Sequence, residues 1–280
     1  MNTPAPQLPG SLKSNPRLSQ WLRVDPQGYV EIAPGKVEIG QGILTALVQI
    51  AADELDVSRE RVRLKAASTA YSPNEGVTSG SLSIQDCGTA LRHVCAQTRD
   101  IYLARAAEKL GLGADTLRIE DGEIRGPGNA ATSYWELADA SLLDRDATPG
   151  IKAKAPESRA LAGTSATRLD IPEKAFGQPR FIHDRLQAGV LHGRVLRPPG
   201  PGARLVALDD NAARKIEGHV ATVRDGSFAG VIARGEFVAL KAVEALRKGA
   251  RWDPGEPLPD WHGLKNWLKS ARADSNISAE

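Results

Sequence analysis

Apolar and polar positions change period along this chain, and the changes mark out its elements. Tyr29–Ala33 and Lys36–Ile39 alternate as half-buried strands do. From Ile43 the period becomes helical. Ile43, Leu44, Leu47, Ile50, Ala51 and Leu55 fall three or four residues apart, predicting a helix to about Val57 with Gln49, Asp53, Glu54 and Asp56 facing outward. Arg61–Ala66 reads as a strand, and Ala90, Leu91, Val94, Ile101, Leu103 and Leu110 predict a long helix from about Ser83. Thr116–Glu120 and Glu123–Arg125 flank Asp121-Gly122, a favoured two-residue hairpin turn. Ser133–Glu136, SYWE, reads as a capping box opening a short helix.

Residues 144–162 carry charges, alanines and prolines with little periodicity, as a linker does. Beyond it, strands are predicted at Phe181–Asp184, Val190–Leu196, Gly218–Arg224 and Phe228–Ala233, with a helix at Phe237–Lys248. Pro198, Pro199 and Pro201 end the second of these strands. Arg197 either faces an anionic ligand or a neighbouring subunit, or is simply solvated, as is Arg194; solvation is the usual fate of such residues. The proline-containing start, residues 1–20, reads as a flexible leader. In the tail, residues 253–280, Trp261, Leu264, Trp267 and Leu268 make a short amphipathic segment that needs a surface to cover, and the last ten residues read as frayed. The fold class expected is α+β, with a first domain at 21–143 and a second at 163–252.

Composition narrows the functional classes. The 280 residues are 41% apolar and 25% charged with a net charge of +2, ordinary values for a globular chain with enough core for roughly two domains. No basic stripe interleaved with aromatics supports nucleic-acid binding. No run approaches the length of a membrane span, and the start lacks an apolar signal core, so a cytoplasmic location is the default expectation. Cys87 and Cys95, eight apart on one predicted helix, stand roughly 12 Å apart, too far for a disulfide. Neither forms a CxxC pair and the five histidines are scattered, so the chain carries no iron–sulfur or zinc signature.

Two small-residue loops carry the candidate chemistry. Gly40, Gln41 and Gly42 join a predicted strand to a helix, where glycines admit positive φ and the first helical amides lack partners. Gln41 adds an amide that both donates and accepts, suited to a neutral polar ligand. Taken alone, the turn is equally a tight connection with a solvated glutamine. Gly76–Ser83, GVTSGSLS, puts Thr78, Ser79, Gly80, Ser81 and Ser83 before the second helix, a set able to hold phosphate or pterin edges and equally an ordinary N-cap in a surface loop. Both loops open helices, which suggests a shared ligand.

With these residues laid out, the chain resembles the molybdopterin-binding large subunit of the aldehyde oxidase and xanthine dehydrogenase family, in the branch of nicotinate dehydrogenase and isoquinoline oxidoreductase. The segments that carry the likeness are GKVEIGQGILTALVQIAADELDV, SPNEGVTSGSLSI, FGQPRFIHDRLQAGVLHGRVLRPP and FAGVIARGEFVALKAVEALRKGARW. The resemblance implies that 21–143 is part of a molybdopterin-binding domain and that 163–252 is a small α/β hammerhead domain. It places Gln41, between Gly40 and Gly42, beside the molybdenum, and gives Thr78, Gly80, Ser81, Leu82 and Ser83 contacts to the pterin and phosphate of the cofactor, in simple or dinucleotide form.

The implied chemistry is hydroxylation of an aldehyde or N-heterocycle with oxygen from water, electrons passing to iron–sulfur clusters on a partner subunit. The family's GVGE motif, whose glutamate is the general base, has no match here, nor does its glycine-rich FGG segment, so no catalytic base is assigned. Glu38 and Glu75 read as solvated. The expectation is an N-terminal portion of such a subunit, inactive until a second chain supplies the remainder. The alternative is a non-catalytic remnant or assembly module.

Overall fold

The computed structural model describes residues 6–185, 187–258 and 260–274. The readings for residues 1–5 and 275–280 lie outside these. The chain divides into two compact units, Met1–Gln178 and Pro179–Glu280, both built of helices and small sheets.

In the first unit a short helix α1 (Leu18–Trp21) leads into β1 (Leu22–Asp25), followed by β2 (Tyr29–Ile32), helix α2 (Ile43–Leu55) and β3 (Val62–Leu64). β1 and β2 are antiparallel, whereas β3 returns parallel to β2 with Val30 opposite Val62, so α2 serves as the crossover between parallel neighbours. Helix α3 (Thr89–Leu110) packs along α2, and β4 (Arg118–Glu120), β5 (Glu123–Arg125) and β6 (Ala131–Ser133) form an antiparallel meander. The short helix α4 (Ile171–Ala175) lies near the end of the unit. The Asp121-Gly122 turn has φ of 49° and 81°, the paired positive angles of the predicted hairpin. A core of Trp21, Leu47, Leu55, Leu91, Tyr102, Ile124 and Tyr134 joins these elements. Tyr134 donates to the Leu55 carbonyl at 3.1 Å and meets Tyr102 edge-on at 5.2 Å. Burial pushes the Tyr102 phenol up to about 12.

Several expectations change in this unit. Residues 10–21 are not a loose leader: Gly10–Lys13 forms a helical turn, Leu12, Leu18 and Trp21 are fully buried, and the Trp21 indole donates to the Asn15 carbonyl at 2.9 Å. The prolines hid a short segment with enough apolar surface to join the core. Nor does 144–162 hang free. Asp53 and Glu54, expected to face solvent, are 3% and 0% exposed and hold this stretch. Asp53 accepts from the amides of Ala160, Leu161 and Ala162 at 2.7, 3.2 and 3.1 Å, and Glu54 from Lys154 at 2.9 Å and from Arg99 at 2.7 Å. SYWE opens no helix. Ser133 ends β6 and caps the Glu136 amide at 3.1 Å, but the Glu136 carboxylate goes to Lys109 and Thr132, both at 3.0 Å, so the box is half made.

The strands of the second unit are β7 (His192–Leu196), β8 (Arg204–Leu208), β9 (His219–Asp225), β10 (Phe228–Ala233) and β11 (Ala250–Asp253), with helices α5 (Asn211–Arg214), α6 (Glu236–Lys248) and α7 (Leu264–Ser270). The sheets are antiparallel, ordered β7-β10-β9 and β11-β8. Leu196, Val231, Val243 and Leu246 anchor a small core under α6. Phe181–Asp184 is a capped helical turn, not a strand, because the Asp184 carboxylate accepts from the Phe181 amide at 2.8 Å and folds the chain back. Arg194 pairs with Glu236 at 2.5 Å, and Arg197 is exposed. Trp261, Leu264, Trp267 and Leu268 remain exposed along α7 and the turn before it. No helix among the described residues is long and apolar enough to cross a membrane.

Candidate functional site

Lys36–Ile39 makes no strand pairing; it is the approach to a tightly knotted turn. Gly40 and Gly42 take φ of 106° and 81°, values a side chain would strain. Glu38, read from sequence as solvated, folds over this turn. Its Oε1 accepts from the Gly40 and Gly42 amides, each at 2.8 Å, and its Oε2 from Leu44 at 3.4 Å. The Gly42 and Leu44 amides are orphan donors at the start of α2, so the end expected to attract a ligand's oxyanion already holds a carboxylate. Gln41 is exposed, yet its side chain turns back: Oε1 accepts from the Ile39 amide at 2.7 Å and Nε2 donates to the Val37 carbonyl at 3.0 Å. Arg168 closes the arrangement, donating to the Gly40 carbonyl at 2.9 Å and to Glu38 at 3.4 Å.

The two loops lie against each other. The Gly35 amide donates to Glu75 Oε2 at 2.7 Å and the Val37 amide to Thr78 Oγ1 at 3.1 Å. Between them Lys36, 2% exposed, reaches the carbonyls of Glu75 at 2.6 Å and Val77 at 3.0 Å. Glu75 is therefore a buttress, not a solvated loop residue, and it also accepts from the Ser11 hydroxyl at 2.7 Å. Asn15 adds a reciprocal pair with Asn74, at 3.0 and 2.9 Å. The approach is so close that a Cβ on Gly35 would lie 2.3 Å from the Pro73 carbonyl oxygen. A cavity of about 390 Å³, lined by Gly35, Val37, Ser68, Thr69, Pro73 and Asn74 among others, opens beside this junction. Gln41 and Ser81 lie outside its lining.

Past Thr78 the second loop stands out from the body. Gly80 and Ser81 have φ of 66° and 60°, and Ser81 is a non-glycine residue held in the left-handed region. Gly80 and Ser81 are exposed, whereas Thr78, Leu82 and Ser83 are half-buried. Among the described residues, no hydrogen bond engages the side chains of Ser79, Ser81 or Ser83. Ser83–Gly88 then winds as a π-helical turn into α3, a geometry frequent at functional sites. Within it Cys87 is fully buried; burial and the nearby Glu75 push its thiol up, and burial does the same to Cys95, so both stay neutral.

This is the region over which a family profile applies. A profile described as molybdopterin cofactor-binding domain matches residues 5–170, more than half the chain. The chain belongs to this family. A nicotinate dehydrogenase chain of Pseudomonas putida is 35% identical, the match covering 87% of this chain and 21% of that protein. The beta chain of isoquinoline 1-oxidoreductase from Brevundimonas diminuta is 29% identical over 80% of this chain and 34% of its own length. A membrane-bound aldehyde dehydrogenase [pyrroloquinoline-quinone] of Gluconacetobacter polyoxogenes is also 29% identical, with 90% and 34% covered. The chain thus spans about a fifth to a third of these relatives. A solved quinoline 2-oxidoreductase from Pseudomonas putida 86 shares 26% identity over 47% of this chain and 17% of its own, with a TM-score of 0.36.

For a member of this family, the fold joins Gly40–Gly42 to Thr78–Ser83 through Val37 and Thr78, but Gln41 hydrogen-bonds within its own loop. Sequence reasoning missed the supports: Lys36, Glu38, Glu75 and Arg168. For Glu38 a signal exists, an acid two residues before a glycine turn that opens a helix without a capping side chain. Arg168 gives none, since it is 128 residues from Gly40 along the chain.

Proposed function

We propose that this chain carries molybdopterin-contacting loops of a molybdenum hydroxylase large subunit, an oxidoreductase acting on an aldehyde or N-heterocyclic substrate. The observation that carries the reading is the interlock of the two loops through Val37 and Thr78, in a chain of this family whose second loop leaves the Ser81 and Ser83 hydroxyls unengaged. The residues fit such a group: unengaged hydroxyls, a strained serine and the first amides of a π-helical turn are donors suited to pterin and phosphate oxygens. When bound, the cofactor would supply two-electron hydroxylation of an electron-poor carbon.

In this reading Gly80, Ser81, Leu82 and Ser83 shape and donate to the cofactor's oxygen-rich edge, and Thr78 fixes the loop through the Val37 amide. Gly40 and Gly42 give Gln41 its turn. To donate to a ligand, Gln41 exchanges its bond to the Val37 carbonyl for one outward. The second unit would be the hammerhead domain. An iron–sulfur protein and a source of the remaining cofactor domain are the partners proposed, the latter supplying the base that Glu38 and Glu75, both engaged structurally, do not provide.

The test is co-expression with candidate partner chains, followed by molybdenum analysis and fluorescence of the oxidised pterin released on denaturation. Molybdenum and pterin are expected to co-purify with the complex. A complex that holds neither, or that holds a quinone in their place, overturns the reading.

A further inference from the structure

We propose that Glu38 and Arg168 are a positioning pair for the Gln41 turn, an internal anion and its counter-cation that set the turn before any ligand arrives. The proposal deepens the reading above and rests on its assignment of Gln41. Gly42, at the start of α2, has no side chain with which to cap the helix, and Glu38 performs the capping from four residues earlier. One oxygen of Glu38 binds the amides on both sides of Gln41, those of Gly40 and Gly42, at 2.8 Å each. Glu38 thus holds the Ile39–Gly40 and Gln41–Gly42 peptides, which limits the direction in which the Gln41 side chain leaves the chain.

The Glu38 side chain is only 9% exposed, so its charge needs a partner. Arg168 provides it while binding the Gly40 carbonyl, which fixes the peptide between Gly40 and Gln41. Arg168 is in turn held by Asp170, at 2.9 Å through Nε and 2.8 Å through Nη2, and Asp170 by Lys174 at 2.6 Å. The Leu169 amide pins this segment to Thr45 in the first turn of α2 at 3.0 Å. The consequence for recognition is specific. A phosphate cannot take the amides at the start of α2 without expelling Glu38, so an anionic group is directed to the serine loop and the first loop offers the Gln41 amide.

The experiment uses the isotope-labelled 280-residue chain, with amide exchange read by NMR at Gly40, Gly42 and Leu44. Glu38→Gln is expected to speed exchange at Gly40 and Gly42 by about tenfold, the size of a lost charge-assisted hydrogen bond, with Leu47–Leu55 unchanged as the control for folding. Arg168→Met should give a smaller rise, Arg168→Lys should restore part of the protection, and the double variant should exceed Glu38→Gln little. Unchanged exchange at Gly40 and Gly42 in Glu38→Gln, or fully additive effects in the double variant, overturns the pair. A second arm measures pterin retained by the partnered complex, expected to fall about tenfold in Glu38→Gln, as for one lost contact to the ligand. Normal retention despite lost protection overturns the positioning role. If the wild-type complex holds no pterin, the functional reading fails, while the exchange data still decide the pair.

Discussion

Lys36 is a charged side chain at a place where burial should forbid one, and its two carbonyl partners explain why it is there. Two effects oppose each other in Lys36→Met: relief from burying an ammonium, and two loop carbonyls left without a donor. The carbonyls belong to the only described bridge between Lys36 and the serine loop, so their loss should dominate, lowering stability by about 1–3 kcal/mol in urea unfolding. A stabilised variant would show that desolvation wins. Asp170 supplies a pH-dependent test. Hydrogen bonds from Arg168 and Lys174 hold its carboxyl well below the ordinary value of 3.8. A depressed folded value means the ionised form is favoured by folding, so the stabilisation is complete above the ordinary value and is lost as pH falls through the depressed one. Asp170→Asn should therefore lower the urea midpoint at pH 7, and the gap to wild type should narrow in acid below about pH 4. A gap that does not change with pH would place the effect in packing instead.

At the scale of elements, α2 is the organising piece because it is gripped on both its polar and apolar sides. Asp53 and Glu54 are buried under residues 154–162, and Glu54 also pairs with Arg92 and Arg99 of α3. In Asp53→Ala three amides lose one acceptor, and the expected result is faster hydrogen exchange at Ala160–Ala162 with a stability loss of about 1–3 kcal/mol. Protection that persists would mean that the remaining contacts, among them Glu54 on the Lys154 amide and Gln49 on the Leu161 carbonyl at 2.9 Å, hold the strap without Asp53. On α3 and the turn before it, the buried neutral thiols of Cys95 and Cys87 should resist alkylation until the unit unfolds, then react together. Rapid labelling of the native chain by iodoacetamide would contradict their placement.

For the molecule as a whole, the two units differ in how much core they own. Among the described residues the first has 29 buried apolar side chains in one cluster, including Trp21, Tyr102 and Tyr134, whereas the second has eight, three of them alanines. Apolar burial is the main favourable term in folding, so the second unit should open first. Hydrogen exchange followed by mass spectrometry through a urea series should show β7 and β10 peptides losing protection at lower urea than α3 peptides. A single shared midpoint would mean that the two unfold as one.

The local pattern of this sequence was enough to find α2, α3, α6 and the Asp121-Gly122 hairpin, because each is specified by its own periodicity or by a turn that only certain residues allow. It also placed the glycine turn and the serine loop in order. It did not find β1, β8 or β11, short strands whose pairing rather than pattern defines them, and it took Lys36–Ile39 for a strand because alternation at a loop and in a sheet look alike. What tertiary structure alone decided is the use of the charges. Glu38, Asp53, Glu54 and Glu75 read outward by composition, and each is turned inward by donors distant along the chain: Arg168, the amides of 160–162, Arg99 and Ser11. A carboxylate is buried only where such donors converge, and convergence from 45 to 130 residues away along the chain is decided by the fold rather than by local pattern.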